Sequence, residues 1–331
     1  MKIIVDAMGG DFAPHEVVKG AIEAARSYKV DIVLVGKEEA IRPFLPGVSR
    51  EHRLSVVNAT QVVDLREHPT EILHLKPDSS IVVGMHLLRT GYGEAFVSAG
   101  STGAVVAAAT LLLGKTKGVD RPALGTLYPT VHGSSLLLDI GANADCRPDF
   151  LLQFAQLGSY YTERVLGVKS PRVGLLSNGE EEVKGNRLIR ETHQMLRRSK
   201  LNFVGNVEGK DIPRGVADVV VTDGFTGNVV LKVSEGFGET LIEILKQNLN
   251  NGTRSKIAAL LLRPALRAFS RKVDYQERGG ALLLGVRGNV VVSHGRSQAK
   301  AIKSAIRLAI QGAKAGPITE ISGGDNNGQA E

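Results

Sequence analysis

The sequence predicts an α/β protein: a three-layer αβα sandwich around a mainly parallel sheet. Short β-branched runs alternate with longer helical patterns along most of the chain. Several of those runs, such as Ile3-Ile4-Val5 and Val219-Val220-Val221, are apolar throughout, as strands covered on both faces must be. Many of them end in glycine and small polar residues just ahead of a helical pattern.

In chain order, strands are expected at Ile3–Asp6, Ile32–Val35, Leu54–Asn58, Ala95–Ser98 and Leu124–Leu127. Five more are expected at Leu136–Asp139, Val173–Leu176, Asn202–Val204, Val219–Thr222 and Val290–Ser293. Helices are expected at Pro14–Ser27, Ser80–Thr90, Ala104–Leu113, Pro148–Leu166, Asn186–Arg198, Asn228–Leu249 and Gln298–Ala313. No internal repeat or long linker interrupts them, and Thr60 to Asp78 reads as a mixed polar loop. Residues 1–315 are therefore expected to form one large catalytic domain. Residues 316–331, which include Gly-Gly-Asp-Asn-Asn-Gly, are expected to be a disordered tail.

Composition narrows the function. The chain has 331 residues, 43% of them hydrophobic and 23% charged, with ample material for a core. Its net charge of +7 favours anionic partners: phosphorylated small molecules, an acidic carrier protein, an anionic membrane or nucleic acid. The single cysteine, Cys146, excludes an internal disulfide and a thiolate-rich metal site. Met1 leads straight into a strand with no secretory pattern, and no apolar run reaches the roughly 18 residues of a membrane span. A cytoplasmic location is expected.

The strand ends carry the chemistry. The strands run into Asp6-Ala7-Met8-Gly9-Gly10-Asp11, Ser98-Ala99-Gly100-Ser101-Thr102-Gly103 and Asp139-Ile140-Gly141-Ala142-Asn143. Others run into Ser177-Asn178-Gly179-Glu180, Thr222-Asp223-Gly224-Phe225-Thr226-Gly227-Asn228 and Ser293-His294-Gly295-Arg296-Ser297. In open α/β sheets ligands bind beyond the carboxyl ends of the strands. Glycine lets backbone approach an anion, and a following helix offers N–H groups and a positive dipole end. Ordinary turn and cap chemistry explains any one such loop. Six together, expected along one sheet edge, point to a small oxyanion. No phosphate-loop or dinucleotide glycine motif is present, which counts against nucleoside triphosphates and standard dehydrogenases.

These segments closely resemble the bacterial phosphate acyltransferases of phospholipid synthesis. The resemblance is carried by Val5 to Asp11 with Pro14, Asp120-Arg121-Pro122-Ala123, Leu137-Leu138-Asp139 with Gly141-Ala142-Asn143, and Ser170 to Leu176. Lys184-Gly185-Asn186, Phe203 to Glu208 and Asp218 to Asn228 carry the rest. It extends to about Ala313, with Ser101 and Ser177 standing where the family usually has Asn. The resemblance implies the fold of isopropylmalate dehydrogenases and phosphotransacetylases, and a homodimer. It implies a reaction in which inorganic phosphate attacks the thioester of a long-chain acyl carrier protein, giving acyl phosphate and free carrier. No metal or organic cofactor is implied.

That reaction needs positioned phosphate and donors for the developing oxyanion rather than a covalent nucleophile. Lys184 is the first choice for holding phosphate or oxyanion, with Asn228 as its catalytic partner and Gly179 in the same loop as the lysine. Asp223, Gly224, Thr226 and Gly227 are expected to complete the cradle, together with Gly9, Gly10 and Asn143. Ser98, Ser101 and Thr102 form a further donor cluster. Asp6, Asp11, Asp139 and Asp223 would repel phosphate, so they are expected to orient Lys184, Arg121 or His15, or to hold a cation. His15 and His294 are candidate general acids for the leaving thiolate, and Cys146 is expected to be structural.

Residues Ser255 to Val273 form a second distinctive feature. Lys256, Arg263, Arg267 and Arg271 share one arc of a helical wheel, with Leu261 and Leu262 on the broad apolar face opposite. This basic amphipathic element, at about 254–273, is expected to dock a membrane surface or the acidic carrier, or else to serve as a core or dimer helix. Peripheral membrane association would bring the chain to the downstream membrane glycerol-phosphate acyltransferase; no nucleic-acid partner is expected. Three other readings remain: a short-chain phosphotransacetylase using acyl-coenzyme A, a decarboxylating dehydrogenase on the same fold, and a membrane-surface scaffold. The dehydrogenase requires an arginine cluster that the strand-end loops lack.

Overall fold

The computed structural model describes residues 1–45, 53–64, 67, 69, 71–250 and 279–321. Lys256, Leu261, Leu262, Arg263, Arg267 and Arg271 lie outside the described residues. Among the described residues, eleven strands form one sheet: β1 (Lys2–Asp6), β2 (Asp31–Gly36), β3 (Leu54–Asn58), β4 (Ala95–Ser98), β5 (Ala123–Thr130), β6 (Gly133–Leu138), β7 (Val173–Leu176), β8 (Phe203–Val207), β9 (Val219–Val221), β10 (Ala281–Leu284) and β11 (Val290–Val292). All the expected strands are present. The addition is β10, whose Ala-Leu-Leu-Leu sequence offers neither alternation nor β-branching to mark it.

The helices are α1 (His15–Tyr28), α2 (Glu38–Ile41), α3 (Ile72–Leu75), α4 (Ser80–Arg89), α5 (Thr102–Ala108), α6 (Pro148–Arg164), α7 (Arg187–Arg198), α8 (Gly224–Asn250) and α9 (Ala299–Ala315). Side-chain caps set several starts: Ser79 accepts the Val82 N–H, Ser101 that of Ala104 and Asn186 that of Ile189. Alternation along the strands divides the core. Ile3, Val5 and Val97 pack with α1, α6 and α9 on one face, while Ile4 and Phe96 pack with α4, α5 and α8 on the other. The three-layer expectation holds. Full burial of a side chain such as Phe96 contributes about 1.5–3 kcal/mol.

The strand order is β3-β2-β1-β4-β11-β10-β5-β6-β9-β7-β8. Pairing is parallel from β3 to β11 and again from β6 to β8, but β11–β10, β10–β5 and β5–β6 are antiparallel. The two parallel halves therefore run in opposite directions. This corrects the expectation that all six polar loops share one edge: those after β1, β4 and β11 leave one way, and those after β6, β7 and β9 the other. Register brings them back together. Val97 pairs with Val291, Val291 with Leu282, Leu282 with Gly125 and Gly125 with Leu138. Strands β4 and β6 thus approach their carboxyl ends in the same row, and the loops beyond them meet at the centre of the molecule.

The start of the expected tail is packed rather than free. Ile318 and Ile321 are buried, the Thr116 hydroxyl donates to the Ile318 carbonyl, and Ile321 N–H donates to Lys117. The boundary at 316 is corrected accordingly.

Candidate active site

At the junction of the two half-sheets lies a cavity of about 440 Å³. Its floor is apolar, formed by Leu124, Ile140, Leu231, Ala281 and Val292. Its walls bring in Asp11, Gly100, Thr102 and Ser293 to Gly295 from one half, and Gly141 and Asn228 from the other. Helix α8 presents Asn228, Leu231, Lys232 and Glu235 to it, at i, i+3, i+4 and i+7. Of the residues singled out from sequence, Asp11, Thr102, Asn228 and His294 line this cavity. Lys232 and Glu235 were missed because they fall inside a helical pattern. Only the helix's orientation makes them wall residues.

Two buried carboxylates hold the loops in shape. Asp139 accepts N–H bonds from Leu124, Gly141, Ala142 and Asn143, at 2.8 to 3.1 Å, and a further bond from the Asn143 side-chain amide. Asp6 accepts from the Ser98 hydroxyl at 2.6 Å and from Met8 N–H. Burial pushes both carboxyls above their ordinary value while the donors pull the other way. Neither orients Lys184, Arg121 or His15, as the sequence suggested. They bind the N–H and hydroxyl groups of the loops themselves, because a chain turning sharply at a buried strand end must satisfy those donors.

The same accounting reassigns most of the expected cradle. Asp223 caps α8, accepting both the N–H and the hydroxyl of Thr226. Gly224 N–H donates to Asn143 and Gly227 N–H to Asp223. The expected loop from Asp223 to Asn228 is thus the first turn of α8, and the N–H groups of Gly224, Thr226 and Gly227 are already used within the protein. Gly9 packs against Asp6 and Gly100, and Ser98, Ser101 and Asn143 are all engaged in loop or cap bonds. Gly10 takes a positive φ of 104° and packs close to the Gly295 carbonyl, linking the loops after β1 and β11. Asn228 donates to the Ile140 carbonyl at 3.2 Å, which ties α8 to the Asp139 loop.

Lys184 and Gly179 line a separate, open cleft with Asn178, Glu180, Glu181, Glu208 and Lys210. The cleft lies after β7, the strand next to β9, so Lys184 shares a sheet edge with the start of α8 but not the central cavity. His15 lies elsewhere, in a groove on α1 beside Phe44. His294, the other candidate acid, lines the central cavity. Its Nδ1 accepts the Arg296 N–H at 3.2 Å, an arrangement that leaves the ring proton on Nε2. Burial, then the charge of Arg296, lowers its pKa and favours the neutral ring. Cys146 donates to the Asn143 carbonyl, and burial with the nearby Asp139 charge pushes its thiol up to about 12. It is not a nucleophile at neutral pH.

Comparison with known proteins agrees with this architecture. Residues 1–320 match the family model described as "Fatty acid synthesis protein". A protein named phosphate acyltransferase from Heliobacterium modesticaldum is 51% identical over 97% of this chain and 96% of its own length. Another of that name, from Desulfitobacterium hafniense, is 49% identical with the same coverage of both. Among solved structures, a phosphotransacetylase from Streptococcus pyogenes shares the fold at a TM-score of 0.64 and 17% identity, covering 95% of this chain and 94% of that one. A 4-hydroxythreonine-4-phosphate dehydrogenase from Klebsiella pneumoniae does so at a TM-score of 0.57 and 13% identity, covering 95% and 99%. The chain belongs to the fatty acid synthesis protein family and is an acyltransferase of the phosphate acyltransferase group, acting in phospholipid biosynthesis.

Proposed function

We propose that the enzyme transfers a long-chain acyl group from acyl carrier protein to inorganic phosphate. The observation that carries this reading is the central cavity, with its apolar floor and its polar rim of strand-end residues. The floor suits the first carbons of an acyl chain, and the rim suits the thioester carbonyl and the incoming phosphate. A phosphate oxygen attacks the carbonyl carbon, and the tetrahedral intermediate collapses with cleavage of the C–S bond. The carrier leaves as thiolate and takes a proton from solvent.

In this reading phosphate is drawn along the sheet edge by Lys184 in its neighbouring cleft and is held at the cavity rim by Asn228 and Lys232. The Nε2–H of neutral His294 serves the oxyanion as a hydrogen-bond donor rather than as an acid. The enzyme works as a homodimer. Support for this is an exposed apolar stripe on α8, where Phe225, Val229, Val233 and Phe237 recur every four residues and are exposed at 67%, 46%, 65% and 68%, beside the row that carries Asn228 and Lys232. Peripheral attachment to the membrane, near the glycerol-phosphate acyltransferase that consumes the product, rests on the sequence of residues 254–273. Among the described residues no helix is long and apolar enough to cross a membrane.

The deciding experiment incubates the protein with palmitoyl carrier protein and phosphate and traps acyl phosphate with hydroxylamine. Trapped product supports the reading. Turnover of short-chain acyl-coenzyme A alone would make it a short-chain phosphotransacetylase, and vesicle binding without turnover of either would make it a scaffold.

A further inference from the structure

Helix α1 has two faces with different tasks. Val17, Val18, Ala21, Ala24 and Ala25 are buried against the sheet and α9. His15, Lys19, Ile22 and Arg26 recur at i, i+4, i+7 and i+11, so they form one stripe on the outer side. With Glu23 and Phe44 they line a groove of about 280 Å³. Ile22 and Phe44 supply apolar surface, Phe44 being 40% exposed with its ring centroid 5.2 Å from that of His15.

The charged lining of the groove is two cations, Lys19 and Arg26, and one carboxylate, Glu23. No carboxylate among the described residues pairs with Lys19 or Arg26, although Glu23 lies between them on the same helix. Helix α9, packed along α1, brings Lys303 to 6.0 Å from the Tyr28 ring centroid at the end of α1. Lys19 and Arg26, without a carboxylate partner among the described residues and set beside the apolar surface of Ile22 and Phe44, are the complement of an amphipathic helix with acidic flanks. A concave groove along one helix fits such a segment better than it fits a flat lipid surface.

We infer that the α1 groove is the docking surface for an acidic helix of the acyl-carrying protein. The inference rests on the proposed use of a carrier-bound thioester and adds where the carrier sits. The groove's position is apt. His15 begins α1 four residues after Asp11, which lines the catalytic cavity and donates its N–H to the Gly295 carbonyl at 2.8 Å. A carrier held on α1 therefore stands beside the cavity rim, with its thioester free to enter.

The test uses the full chain carrying K19E and R26E together, and as control R198E and K200E, an equal charge change on the exposed end of α7 and the turn after it. Fluorescence anisotropy with labelled palmitoyl carrier protein measures binding, and hydroxylamine trapping measures kcat and KM. K19E/R26E should raise Kd and KM for the carrier about ten-fold, weaken their salt dependence and leave kcat and the thermal midpoint unchanged, while the control does nothing. Wild-type affinity in K19E/R26E overturns the inference, as does an equal loss in the control. Loss of anionic-vesicle binding with carrier binding intact also overturns it, in favour of a membrane contact. Binding is read without turnover, so a wild-type enzyme that forms no acyl phosphate would sink the proposed reaction while the titration still judges the surface.

Discussion

A Cβ on Gly227 would stand 1.9 Å from the carbonyl oxygen of Asp139, so the first turn of α8 lies directly against the end of β6. No side chain fits there. Gly227→Ala should push α8 away from the Asp139 loop at a cost of about 1–3 kcal/mol and lower activity with it. Gly236, in the same helix, has open space around its Cα. Gly236→Ala should instead stabilise by about 0.5–1 kcal/mol. Denaturant midpoints check both, and a wild-type midpoint for Gly227→Ala would contradict the contact.

Gly141 has φ +138°, and a Cβ there would come within 2.9 Å of Asn228 Nδ2. Gly141→Ala should therefore move the Asn228 amide and cut kcat by about ten-fold or more, beyond what its loss of stability explains. Asn228→Ala should give a comparable loss of kcat while keeping its fold. If Gly141→Ala retains full kcat, Asn228 does not position a reacting group.

Lys184 is exposed in its open cleft and forms no ion pair with a described residue. Lys184→Ala should lose most turnover and raise the KM for phosphate, with stability within about 0.5 kcal/mol of wild type. A matching fall in the thermal midpoint would make it a structural lysine instead.

Acid sensitivity should trace in part to Asp218. Arg172 binds its carboxylate through Nε at 3.1 Å and Nη2 at 2.9 Å, joining the segments that lead into β7 and β9. The Arg172 hydrogen bonds hold the Asp218 pKa below its ordinary value. A depressed carboxyl pKa adds stability that is present above the unfolded value of about 3.9 and is lost as pH falls toward the folded one. Asp218→Asn should lower stability at neutral pH and flatten its decline below about pH 4. An unchanged acid limb would remove Asp218 from the account.

The exposed α8 stripe tests the assembly. Val233→Asp and Phe237→Asp should each shift the protein from dimer to monomer in light scattering, with helical content retained. A dimer that persists in both variants would place the interface elsewhere.

Several elements were legible in the sequence because their signals are local. β-Branched runs marked strands, polar strand ends marked turns and caps, and family motifs marked Asn228 and Lys184 as residues to test. β10 gave no signal because an Ala-Leu-Leu-Leu run does not separate strand from helix. Lys232 and Glu235 gave no signal because nothing in a helical pattern says which face will line a cavity. The glycines of the α8 start were read as room for an anion. They are instead room for Asp139 and Asn143, a distinction that depends on which neighbour arrives.

By itself the sequence determined the layer architecture, the family and the chemistry available at the strand ends, since these follow from residue type and short-range pattern. Only the tertiary structure decided which loops share a site. Antiparallel pairing at β10 and β5 sends the two half-sheets in opposite directions, and the register through Gly125 and Leu138 brings their ends into one row. The physical reason is that pairing direction and register arise between strands distant in the chain, where no local propensity speaks.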